Sequence, residues 1–107
     1  MEEIFKLKPI QKNIAHKMGE EELCCQTAEE LAELIQVLMT YRRVKGCGQP
    51  TSKKMAEVMY SMHEEVVDAV ICIKELIYLL GLSDSTLEYI ENQKVRRTTQ
   101  RYGIKEE

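Results

Sequence analysis

From about Glu20 onward the apolar residues Leu23, Ala28, Leu31, Leu34, Ile35 and Leu38 recur at helical steps, which gathers them on one side at about 100° per residue. The pattern runs to Gly46 and the Gly48–Pro50 breaker and so predicts a helix of about six turns. A longer stripe follows: Met55, Val58, Met59, Met62, Val66, Val70, Ile73 and Ile77. It predicts a helix that starts near Thr51 or Ser52, either of which can cap it, and ends at Gly81. Because about thirty residues is long for a globular helix, a kink is expected around Tyr60 to His63. Upstream, Pro9 suits the start of a short helix through Met18, closed by Gly19, after a mixed lead-in over Met1 to Lys8. Downstream, Ser85-Thr86-Leu87-Glu88 reads as a capping box, and Leu87, Ile90 and Val95 predict a last helix reaching about Arg101, before Gly103. Residues 102–107 read as a tail.

These elements imply an all-α fold, four to five helices in an antiparallel helical bundle, forming one domain over residues 1–107. Residues 1–20 are the lead-in and short helix, and 21–101 carry the remaining helices. With only five Gly and two Pro in 107 residues, the punctuation needed for a turn-rich all-β fold is missing. A small domain leaves much of its surface wet, so self-association is the expected way of completing the core. The net charge of −3 lacks the broad positive field that duplex nucleic acid would favour, and duplex DNA or RNA is not an expected partner. No apolar run approaches the ~18 residues needed to cross a bilayer, so no membrane is expected either. The cysteines Cys24, Cys25, Cys47 and Cys72 form no C-x-x-C pair, and no charged-then-apolar leader is visible. Reduced thiols in the cytoplasm are the better reading, with Cys24, Cys25 and Cys72 filling the core and Cys47, between two glycines, exposed.

The acidic residues have a pattern of their own. With Glu29 at zero on a helical wheel, Glu33 falls at about 40°, Gln26 at about 60° and Glu30 at about 100°, beside the apolar group formed by Leu31, Leu34, Ile35 and Leu38. Glu65 and Asp68 flank the later stripe in the same way. If the two helices pack antiparallel, Glu30 with Glu33 faces Glu65 with Asp68 at the edge of the core. Like charges about 4 Å apart repel by roughly 4 kcal/mol per pair at an effective dielectric near 20, so a cation is expected between them. Hard oxygen donors suit Mg²⁺, with Mn²⁺ as a possible substitute. The plainer reading is that these are ordinary solvent-facing glutamates.

Other chemistries find less support. A di-iron bundle needs Glu-x-x-His pairs, and neither His16 nor His63 follows a carboxylate at that spacing. No glycine loop or nucleophile signature is present. On the last helix Lys94, Arg97 and Arg101 share one face and can hold phosphate oxygens, although a basic helix end also complements the macrodipole. Tyr41, Tyr60 and Tyr102 are candidates for stacking on a planar ligand, and each reads first as packed or partly exposed structure.

Glu29-Glu30-Leu31-Ala32-Glu33 followed by Glu65-Val66-Val67-Asp68 resembles the E-E-x-x-E and E-x-x-D motif pair of the MazG-like, all-α nucleoside triphosphate pyrophosphohydrolases. The likeness spans roughly Gln26 to Arg101. It implies hydrolysis of a (deoxy)nucleoside triphosphate to the monophosphate and pyrophosphate, in a homodimer or homotetramer. By the same resemblance Glu30, Glu33, Glu65 and Asp68 hold Mg²⁺, and Glu29, one turn from Glu33, is the candidate catalytic acid or base. Lys94, Arg97 and Arg101 steady the phosphate chain, and Gln26 offers an amide to base or sugar. The alternative is a non-catalytic helical module that binds nucleotide or a partner helix without turnover.

Overall fold

The computed structural model describes residues 2–105. Met1, Glu106 and Glu107 lie outside them, and with them the two ends of the expected lead-in and tail. Among the described residues the chain is all-helical: α1 (Glu2–Phe5) is a single turn, followed by α2 (Pro9–Val44), α3 (Met55–Leu80) and α4 (Asp84–Arg101).

The helix α2 contains the two helices expected from sequence, run together across Gly19. That residue sits at φ +83°, ψ 167°, and breaks the helical ladder. Left-handed φ costs an L-residue about 1–2 kcal/mol, which is why glycine occupies the break. Before the break, the segment lies along the end of α3, with Gln11 and Ala15 buried. His16 Nε2 and the Tyr78 hydroxyl lie 2.8 Å apart with their rings edge to face, and the Lys12 ammonium sits over the Tyr78 ring. Lys74, 9% exposed, donates from Nζ to the carbonyls of Ile4 and Lys6 at 2.7 and 2.8 Å, tying α1 down.

Helices α2 and α3 form an antiparallel hairpin. Val37 and Thr40 share a cleft wall with Val58 and Ser61, while Gln26 and Glu30 share one with Asp68 and Cys72, so rising numbers meet falling ones. The buried and half-buried positions give the seam: Leu23, Thr27, Glu30, Leu34, Val37, Tyr41 and Val44 on α2, against Val58, Met62, Glu65, Ala69, Cys72, Leu76 and Leu79 on α3. Their alternating steps of three and four are the spacing of a coiled-coil interface.

This seam corrects the expected stripes. Leu31, Ile35 and Leu38 are exposed, Ile35 by 58% and Leu38 by 46%, and so are Met55, Met59, Val66 and Ile73. Each helix carries two apolar faces, and the hairpin buries the one that contains Glu30 and Glu65. The same rotation moves Cys24 and Cys25 out of the core: the seam passes through Leu23 and Thr27, and both intervening thiols are exposed. Cys72 is buried and Cys47 exposed, as expected.

Helix boundaries also shift. Residues 51–54 are non-helical and α3 starts at Met55, with Lys54 as its extended N-cap; Thr51 Oγ1 accepts from the Lys53 N–H at 3.2 Å and so shapes the connection. The Glu57 carboxylate takes the Lys54 N–H at 3.1 Å, one half of a capping box. No kink occurs at Tyr60 to His63, because no Pro or Gly interrupts Met55–Leu80, and His63 Nδ1 lies 2.7 Å from the Met59 carbonyl within the helix. The last helix is capped by Ser83, whose Oγ accepts from the Thr86 N–H, and the Ser85 box does not cap it. An N-cap at Ser83 leaves Asp84 in the first turn, where a carboxylate complements the helix dipole.

Helix α4 stands apart. Its first turn borders a cleft shared with Phe5, Leu7 and Ile77, and beyond that no other described helix packs against it. The radius of gyration, 17.0 Å, exceeds the ~13 Å of a compact domain of this length accordingly. A single chain therefore shows a two-helix hairpin with a projecting third long helix rather than a closed bundle.

Candidate metal centre

The seam brings together acids that lie more than thirty positions apart in sequence. Glu30 and Glu33, three residues apart on α2, and Glu65 on α3 offer carboxylate oxygens that all lie within 4.8 Å of one another. Glu30 and Glu65 are half-buried and Glu33 is exposed, so the group opens at the edge of the hairpin. Glu30 Oε2 and Glu65 Oε2 are buried and have no hydrogen-bond partner. Buried polar atoms in folded proteins are rarely left unpaired, which makes two orphaned carboxylate oxygens in one place a structural anomaly.

Electrostatics point the same way. Burial pushes the Glu30 carboxyl above its ordinary value, and the neighbouring Glu33 and Asp68 carboxylates push it further. Gln26 opposes this rise: its Nε2 donates to Glu30 Oε1 at 2.8 Å. An oxygen-only donor set of concentrated negative charge fits a hard divalent cation such as Mg²⁺. The orphaned oxygens are the observation on which that fit rests.

The remaining expected site residues divide into two groups. Asp68 is half-buried, acts on Glu30 and lines the same cleft, beside the Glu30–Glu33–Glu65 triad. Glu29 is exposed on the neighbouring position of α2, and Gln26 is held against Glu30. Lys94, Arg97 and Arg101 do share one face and line a groove of about 250 Å³ with Thr98, but that groove belongs to α4. Since no helix packs on α4 beyond its first turn, a single chain does not bring the basic face onto the acids. None of Tyr41, Tyr60 and Tyr102 lines the acidic cleft, and Tyr60 and Tyr102 are 68% and 70% exposed.

One residue was not singled out from the sequence. Glu75 lies on α3 in the wall of the acidic cleft, almost completely buried, with its Oε2 unpartnered. The signal was available: Asp68, Cys72 and Glu75 follow at steps of four and three, which places them on one helix face. Burial raises the Cys72 thiol above its ordinary value, with Glu30 and Glu75 adding to the effect, so that thiol stays protonated and unreactive.

No protein-family model, no curated protein and no solved structure matches this chain. Among the described residues no helix is long and apolar enough to cross a membrane.

Proposed function

We propose that the protein is a Mg²⁺-dependent nucleoside triphosphate pyrophosphohydrolase, similar to the MazG-like enzymes, which cleaves a (deoxy)nucleoside triphosphate between its α and β phosphates. What carries this reading is the triad Glu30, Glu33 and Glu65, with a buried, unpartnered oxygen on two of its members. In this reading those three carboxylates and Asp68 hold the metal. When bound, Mg²⁺ neutralises phosphate oxygens and acidifies a water for attack at phosphorus. Glu29, exposed beside the triad, takes the proton from the attacking water. Gln26 keeps the Glu30 carboxylate in place through its amide.

The basic residues complete the site across a pair of chains. Lys94, Arg97 and Arg101 stand on a helix with no intrachain packing beyond its first turn. The hairpin meanwhile exposes Met59, Val66, Ile73 and Leu80 at seven-residue intervals on α3, with Leu31, Ile35 and Leu38 exposed on α2. Such a stripe is the seam of a second helical interface, and pairing two hairpins through it yields the expected bundle.

The test is incubation of the purified protein with each common NTP and dNTP and Mg²⁺, scoring pyrophosphate against orthophosphate. Pyrophosphate release that is lost in Glu33→Gln and Asp68→Asn, with helicity unchanged, is the expected result. Nucleotide binding without release from any of them would favour the non-catalytic module.

A further inference from the structure

Of the acid triad, Glu30 also lines a cleft that Glu33 and Glu65 do not border. The cleft, about 400 Å³ in volume, extends along α3 away from the triad, with Ile14, Met18 and Ile71 as apolar walls and Glu75 among them. A volume in this range, mostly apolar with a few polar groups, is characteristic of small-molecule sites. Glu30 belongs both to the acid cluster and to the cleft wall, where Asp68 stands beside it, so the two compartments meet at Glu30.

Glu75 is the feature that a purely structural reading leaves unexplained. It is 3% exposed, and its Oε2 makes no hydrogen bond. The adjacent Lys74 ammonium favours the carboxylate through its charge but leaves Oε2 without a hydrogen bond, because it donates to the carbonyls of Ile4 and Lys6. Folding alone would favour leucine or glutamine at this position over a carboxylate with an unpaired oxygen. An acceptor held in an apolar cleft, next to a group that binds phosphates, is suited to an N–H donor on the rest of the same ligand.

We propose that this cleft seats the nucleobase and that Glu75 Oε2 accepts a hydrogen bond from an exocyclic amino group, so that the site prefers amino-bearing bases to uracil and thymine. The inference rests on the nucleotide reading above and adds the part of the substrate that is selected. Cytosine and uracil provide the sharpest contrast, since they have the same shape and differ at the amino position. Uracil presents a carbonyl oxygen there, which faces the ionised Glu75 carboxylate as acceptor against acceptor. A site built around one hydrogen bond rejects the analogue that cannot make it, because the buried partner is then left unpaired.

The experiment is calorimetric titration of the full chain with dCTP and with dUTP in Ca²⁺, together with pyrophosphate release from both in Mg²⁺. The expected result is at least about tenfold tighter binding of dCTP. In Glu75→Gln, whose amide can donate as well as accept, that ratio falls towards one while divalent-metal binding is unchanged. Met18→Trp, which fills the cleft from the other wall, should weaken both nucleotides equally and leave metal binding intact. Equal binding of dCTP and dUTP by the wild type, a preference for dUTP, no binding of either, or a ratio insensitive to Glu75→Gln would each overturn the inference. Selective binding without pyrophosphate release would instead uphold it and remove the hydrolase reading.

Discussion

The hairpin and α4 solve opposite problems. Between α2 and α3 the seam buries charge: Glu30 and Glu65 occupy positions where leucine would pack, and Glu75 and Lys74 are enclosed nearby. Helix α4 buries none of its residues, although Leu87, Ile90 and Val95 are available on it. One region encloses acids where apolar side chains would pack better, and the other leaves apolar surface and cations exposed. The difference teaches that neither region is arranged for the stability of one isolated copy, which is what the proposed metal site and pairing would explain.

The largest effect on stability is expected where the hairpin does pack conventionally. Leu23 is fully buried, and Leu23→Ala should lower the unfolding free energy by about 3 kcal/mol in urea denaturation. The corresponding truncation on α4, Val95→Ala, should cost under about 0.5 kcal/mol when measured on dilute monomer, because Val95 is exposed there. A comparable loss at both positions would show that α4 is packed and would erase the contrast.

The seam acids give an effect of opposite sign. Replacing a buried set of charges by apolar residues of similar volume is often stabilising by about 1–4 kcal/mol. Glu30→Leu combined with Glu65→Leu should therefore stabilise the metal-free protein within that range while abolishing any rise in unfolding midpoint on adding Mg²⁺. Destabilisation by the double change would mean that the carboxylates are structural. Gly19→Ala should cost about 1–2 kcal/mol through its left-handed φ, since no atom lies within 4 Å of where the new Cβ would sit.

A smaller, pH-dependent effect comes from the same acids. Glu30 and Glu75 are both raised above their ordinary value of 4.5 by burial, so the folded state holds these protons more tightly than the unfolded state. Their contribution is fully favourable below 4.5 and is lost as pH rises from 4.5 through the raised folded values. Metal-free protein should therefore lose stability over that interval in denaturation series. Saturating Mg²⁺ should flatten the Glu30 part and leave the Glu75 part.

Much of this architecture was legible in the sequence. The three- and four-residue apolar steps locate α2 and α3, and Gly19 and Gly81 mark the break and the end, because both positions require a backbone that other residues resist. The convergence of Glu30 and Glu33 with Glu65 follows from two acid clusters bordering two stripes. Which stripe is buried did not follow. Leu31–Ile35–Leu38 is more apolar than Thr27–Glu30–Leu34, so hydrophobicity alone selects the wrong face when each helix carries two. Ser85 and Ser83 both have capping chemistry, and two residues of register separate them. The separation of α4 from the acids was equally hidden, because a basic face records what a helix can bind and not where the helix lies.

The most direct test of the central claim is electron paramagnetic resonance of Mn²⁺ titrated into the metal-free protein, in which ions taken up by protein disappear from the free-ion signal. The account predicts uptake by the wild type that is lost when Glu33→Gln and Glu65→Gln are combined, with helicity unchanged. Identical uptake by the two proteins, or none by the wild type, would contradict it.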